Sequence, residues 1–198
     1  MSKIRIKPGT LLAPVPVVMV SCQDKEGNKN IITIAWTGIV CSDPPKTYIS
    51  VRPSRHSHKI IEETGEFVIN LTNSYQAKKC DYCGIYTGEK VDKFKKCDFT
   101  AIYPDGNEVN CPMIGESPIS LCCKVDKKIP LGSHDMFLAD IVAVYVNEEL
   151  INENGKISYE KASLCSYNHG AYYAQGKKIG SFGYSAKKKK GKTSGNKK

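Results

Sequence analysis

The chain has 198 residues, 40% hydrophobic and 25% charged, with a formal net charge of +9. That length predicts one domain with enough chain to bury a proper core. Seven lysines and no acid lie within residues 187–198, leaving only +2 for the first 186 residues; so neutral a body argues against a nucleic-acid-binding domain with a basic face.

Val15–Cys22 is a valine-rich apolar run opened by Pro14 and Pro16, and it predicts a strand. The polar turn Asp24–Asn28 then leads into a second strand, Asn30–Ala35, which makes a hairpin. Asp43-Pro44-Pro45 excludes helix and enters a strand at Thr47–Val51. Ser57–Thr64 predicts a short helix stopped by Gly65, and Glu66–Leu71 is again a strand. Short helical turns are expected between Ser74 and Lys96. Strands follow at Phe99–Tyr103, Ser120–Val125 and Asp135–Val146, the last long and strongly apolar. Regular structure is expected to end near Ser185, and residues 187–198 read as a disordered lysine-rich tail with at most weak, salt-sensitive contacts to RNA or anionic surfaces. Many short strands with few helices predict a mainly β fold, a closed or partly closed antiparallel barrel over residues 1–186.

The densest chemistry follows the Thr47–Val51 strand. Arg52, Ser54, Arg55, His56, Ser57 and His58 fall within seven consecutive positions, at an expected helix start. Such a start offers unpaired N–H groups and a partial positive charge, and guanidinium groups add planar donors that match phosphate oxygens. The cluster therefore points to a phosphate monoester. Asn30, Thr33, Trp36 and Thr37 form a second edge suited to a flat heteroaromatic ligand, with Trp36 as an apolar wall. The bland alternatives are a solvated helix start and a tryptophan that fills core.

Nine cysteines, an odd number at irregular spacing and without a signal peptide, predict reduced thiols and a cytoplasmic location. No segment has the apolar length of a membrane-spanning helix. Cys80-Asp-Tyr-Cys83 has the spacing of a metal or redox pair, but it lacks a second close pair, so no metal site is expected. No G-x-G-x-x-G marks a dinucleotide site. Asn70-Leu71-Thr72 matches a glycosylation sequon and is read as buried strand.

Seven segments occur together: NIITIAWTG at 30–38, DPP at 43–45, SVRPSRHSHKII at 50–61, FVINL at 67–71, CGIYTGEKVDKF at 83–94, LGSHDMFLADI at 131–141 and IGSFGYS at 179–185. In this order and spacing they resemble the flavin reductase-like family that binds FMN on a split β-barrel, most closely its flavoredoxin branch, over about residues 9–186. The resemblance implies a homodimer with one FMN per subunit and each site completed by the partner. It places Arg52, Ser54, Arg55 and Ser57 on the FMN phosphate, with His56 and His58 nearby. It sets Thr33, Ala35, Trp36 and Thr37 against the ribityl chain and ring, and Asn70, Cys83 and Gly84 along the flavin edge. His134 would face the cavity over the flavin, where a donor stacks. Electrons would come from NAD(P)H or from a redox protein such as a ferredoxin-type donor. The alternative is a non-catalytic split-barrel module that binds another flat ligand such as heme, or RNA through the lysine tail.

Overall fold

The computed structural model describes residues 1–186, so the segment 187–198, expected as a tail, lies outside the described residues. The first apolar run divides in two, β1 (Val15–Pro16) and β2 (Val18–Gln23). Pro16, which has no N–H to give a ladder, closes the first piece. β2 forms the expected hairpin with β3 (Lys29–Ile34). In the turn, the Asp24 carboxylate accepts from the N–H groups of Glu26 and Asn28 at 3.0 and 2.8 Å.

β4 (Thr37–Ser42) and β5 (Pro45–Val51) make a second hairpin around Asp43-Pro44. Helix α1 (His56–Thr64) starts one residue before its expected position. It ends at Gly65, whose φ of 69° lets its N–H reach the carbonyl of Ile61. β6 (Glu66–Leu71) follows as expected. A 3₁₀ turn at Ser74–Gln76, closed by a reciprocal Asn73–Gln76 capping box, leads into α2 (Ala77–Ile85) and then α3 (Lys93–Lys96). The strand expected at Phe99–Tyr103 contracts to β7 (Ala101–Ile102), paired with β8 (Met113–Ile114). The one expected at Ser120–Val125 instead spans β9 (Ile119–Pro130). β10 (Asp135–Val146) matches its expected bounds, and β11 (Cys165–Tyr167) and β12 (Tyr172–Ala174) complete the strands.

Seven strands form one sheet in the order β3-β2-β6-β9-β10-β5-β4, with every neighbouring pair antiparallel. The sheet curls until β3 approaches β5, and the Ser50 N–H reaches the carbonyl of Trp36 at 2.9 Å. The result is a mainly β split barrel with a few short helices. A smaller sheet, β1-β11-β12, packs at its mouth.

Alternation along the strands sorts side chains into two cores. Val18, Val20, Ile49, Val51, Phe67 and Phe137 fill the barrel, with Ile60 and Ile61 of α1 as a plug. Val17, Met19 and Ile31 face the other way, onto Cys80 and Cys83 of α2 and Phe94 of α3. Asn70 is fully buried among these layers. Its amide donates to the Met19 carbonyl and Ser21 Oγ, and its oxygen accepts from the Ile114 N–H and the Ser120 hydroxyl. The sequon thus lies in core, as expected. Among the described residues no helix is long and apolar enough to cross a membrane.

Candidate functional site

Two connected hollows lie where β3, β5 and the start of α1 meet. The narrower, about 60 Å³, is walled by Asn30, Ser54, Arg55, His56, Ser57 and Lys93. That is roughly the liquid volume of two waters, room for a phosphate group but not for a ring. The wider cleft, about 400 Å³, is lined by Trp36, Tyr167 and Tyr172 together with Arg52, Arg55 and His134. Ile32, Arg55 and Gly84 border both hollows.

Local sequence explains the narrow end. Arg55 takes the N-cap position of α1 with extended backbone (φ −84°, ψ 135°) and makes no side-chain cap bond, and the first turn holds no acid. The N–H groups of His56 and Ser57 at the helix opening therefore remain available to an anion, while that of His58 bonds the Arg55 carbonyl. Asn30 Nδ2 donates to Ser57 Oγ at 2.8 Å, which ties β3 to the helix start. Glycines let the walls close in. A Cβ on Gly84 would sit 3.2 Å from Thr33 Cβ, and one on Gly88 would fall 2.2 Å from Asn30 Oδ1.

Lys93 was not singled out from the sequence and is the strongest single feature here. It is only 3% exposed, its Nζ donates to the carbonyls of Ile31 and Cys83 at 2.6 and 2.8 Å, and burial holds its pKa below the ordinary lysine value. Among the described residues no carboxylate lies within ion-pair distance of it. A buried cation without an anion is costly, and an anionic group in the adjoining hollow would relieve it. One signal was readable: Lys93 shares a helical face with Cys97, next to the apolar Phe94. Tyr167 and Tyr172 were also missed, because they stand on strands too short to show a pattern.

The other expected residues separate by where their polar atoms go. Ser54, Arg55, His56, Ser57 and Asn30 meet at the narrow hollow, with His56 Nδ1 3.9 Å from Glu89 Oε1. Thr33, Ala35, Trp36, Gly84 and His134 line the wide cleft, although the Thr33 hydroxyl is spent on the Cys80 carbonyl. Arg52, expected on the phosphate, instead lines the wide cleft beside His134. Burial first, then Arg52 and Arg55, hold the His134 pKa below its ordinary value, and Ser133 Oγ bonds its Nδ1 at 2.9 Å.

Three expected side chains do not reach the hollows, and a fourth borders one but turns away from it. Asn70 is consumed by its core network and lines neither hollow. Thr37 donates to the Tyr48 carbonyl at 2.6 Å and serves the β4–β5 pair. His58 turns inward, with Nε2 2.8 Å from Asp135 Oδ2. The Cys83 thiol borders the narrow hollow but faces Cys97 Sγ at 3.9 Å, and burial pushes its pKa well up, so it is an inert thiol rather than a poised nucleophile.

A split barrel whose phosphate-sized cationic hollow adjoins an aromatic-walled cleft has the form of a ligand-binding protein. Comparison agrees: residues 11–175 match the family described as "Flavin reductase like domain", and the chain belongs to that family. Among solved structures it is similar to the flavoredoxin of Desulfovibrio vulgaris (Miyazaki F), with 29% identity, 94% of this chain and 100% of that one covered, and a TM-score of 0.87. The flavoredoxin from Methanosarcina acetivorans, also 29% identical with 94% and 100% coverage, superposes with a TM-score of 0.84. An FMN-binding protein from Thermus thermophilus, 21% identical over 91% of this chain and 99% of its own, shares the fold with a TM-score of 0.77.

Proposed function

We propose that the chain is an FMN-binding flavoprotein oxidoreductase that relays electrons from NAD(P)H or a reduced protein partner to an acceptor. The observation that carries this reading is the pair of joined hollows. One is small, cationic and placed at a helix start, and the other is wide and aromatic, matching a phosphate at one end of a ligand and a flat ring at the other. Similarity to two flavoredoxins and to an FMN-binding protein supports the same ligand.

The residues present fit the group. Lys93 and Arg55 would neutralise the phosphate, and Asn30, Ser54 and Ser57 would add neutral hydrogen bonds. Trp36, Tyr167 and Tyr172 would flank the ring and keep water from one side of it. When bound, FMN supplies the electron-carrying chemistry, and the protein supplies grip, orientation and electrostatics. His134, whose pKa burial and two arginines lower, favours the neutral imidazole and can donate or accept a hydrogen bond at the cleft.

The homodimer implied by the family resemblance remains part of this proposal. Ile39 and Val40 on edge strand β4, 66% and 51% exposed, offer an apolar surface to a second copy. Sedimentation of the purified chain checks it.

The visible absorption spectrum of the purified protein, followed by release of any chromophore, tests the cofactor. A flavin spectrum with about one FMN per chain is expected. A colourless protein that also fails to take up added FMN would sink the reading. Fast reduction by a low-potential iron–sulfur protein with slow NADH turnover would mark a carrier, and the reverse pattern a reductase.

A further inference from the structure

We propose that His58 is a positioning residue, whose buried hydrogen bond to Asp135 locks the start of α1 to the start of β10. It thereby fixes Arg52, Arg55 and His134 relative to one another around the cleft. The functional part of this inference rests on reading that cleft as the FMN site.

The bond is short and sealed. His58 and Asp135 are 5% and 8% exposed, and the imidazole Nε2–H donates to Asp135 Oδ2 at 2.8 Å. Phe137 meets the imidazole edge-on with ring centroids 5.1 Å apart, which holds its tilt. Behind it, Lys128 of β9 lies 3.9 Å from the same Asp135 oxygen and pairs with Glu62 of α1, whose other oxygen is 3.8 Å from His58 Nδ1. Three elements thus converge on one polar knot, buried at His58 and Asp135 and open to solvent at Glu62 and Lys128.

The knot closes a ring. Asp135 is the register partner of Val51, so the next residues beyond the β5–β10 ladder are His134 on one strand and Arg52 on the other. From Arg52 the chain turns, with the Arg55 N–H bonded to the Arg52 carbonyl at 3.0 Å and the His58 N–H to the Arg55 carbonyl at 2.9 Å. His58 then crosses back to Asp135. Arg52 and Arg55 lie on one arc of this ring and His134 adjoins its closing point. The His134 turn is itself tied, because the Leu131 N–H bonds the His134 carbonyl at 2.9 Å. Without the side-chain link, the start of α1 is joined to β10 through the 52–55 turn, apolar packing and the exposed Glu62–Lys128 pair, which resist hinging less well than a buried directional bond. An apolar pair would fill the same space, so a buried polar pair here specifies geometry more than stability.

The test uses the full chain with His58→Leu, His58→Gln and Asp135→Asn. Two readouts are followed: the NMR titration of His134 in the FMN-free protein, and FMN affinity by fluorescence quenching. In His58→Leu the His134 titration should move up toward the ordinary histidine value, as Arg52 and Arg55 cease to be held beside it. FMN binding should weaken by about three- to thirtyfold. His58→Gln, whose amide can still donate to Asp135, should recover most of both. Asp135→Asn, which keeps size and one acceptor oxygen, should move both readouts in the same direction but less, and it decides the matter should the leucine variant not fold. Wild-type titration and affinity in the folded variants, with only the unfolding midpoint lowered, would overturn the proposal. If the wild-type chain binds no FMN, the flavin reading fails, and the His134 titration still decides the linkage.

Discussion

At the residue scale, the two arginines of the SVRPSRHSHKII segment have different surroundings and should behave differently. Arg55 borders both hollows, whereas Arg52 faces only the wide one. A charge-assisted bond contributes on the order of 1.5–3 kcal/mol. Arg55→Ala should therefore weaken FMN binding by roughly ten- to a hundredfold, and Arg52→Ala by distinctly less. Equal losses in a quenching titration would return Arg52 to the phosphate. Lys93 gives the sharper contrast, because the FMN-free protein already bears the cost of its burial. Lys93→Met should leave the FMN-free melting temperature unchanged or raised while FMN binding falls at least about tenfold. A lowered melting temperature with intact affinity would make Lys93 a strut between β3 and α2. Residue types alone announced the arginines and the Ser57 hydroxyl. They could not announce that His58 and Asn70 are spent inside the core, since a side chain's direction depends on which strands become its neighbours.

At the element scale, strands with dense valine, isoleucine and phenylalanine were legible, and β6 and β10 keep their expected bounds. The end of β9, residues 126–130, was not, because its largely polar sequence carries no apolar alternation. It is strand because the β10 backbone runs beside it in register from Asp135↔Pro130 to Leu138↔Lys127. Strands β1, β11 and β12 span only two or three residues, too few for any period to show. The segment between α2 and α3, where the sequence predicts only short helical turns, presses Gly88 against Asn30. With Asn30 buried and bonded to Ser57, it has little freedom to retreat from a new methyl group. Gly88→Ala should cost about 1–3 kcal/mol of stability by overpacking and weaken FMN binding, because the displaced amide is a wall of the narrow hollow. Calorimetry and a quenching titration on the same sample check both. Unchanged values in both would show that the loop yields instead.

At the scale of the whole molecule, the seven-strand order joins segments far apart in the chain, and no local pattern states it. The run of short strands predicts an antiparallel barrel, but its split form was legible only through the likeness of seven motifs to a known family. The cysteines, by contrast, gain their meaning only from the assembled fold. Eight of the nine are buried, and none is in a disulfide. Burial pushes the Cys22 and Cys80 thiols up from 9.0 to about 12 and Cys122 to about 11. Cys83, Cys111, Cys123 and Cys165 are raised as well. The unfolded chain, with thiols near their ordinary value, releases protons that the folded chain retains. Their contribution to stability is fully present below about pH 9 and is lost as pH rises toward the folded values. Each such thiol removes up to about 1.4 kcal/mol per pH unit within that window, and several act together because they occupy separate layers of the same fold. Urea unfolding midpoints should hold from neutral pH to about 8.5 and then drop steeply by pH 10. Cys22→Ala should flatten that drop by one thiol's share, since alanine at that position has nothing to ionise. A midpoint that stays flat through pH 10 would mean that the buried thiols ionise in the folded chain, and the cores described above would then have to admit water.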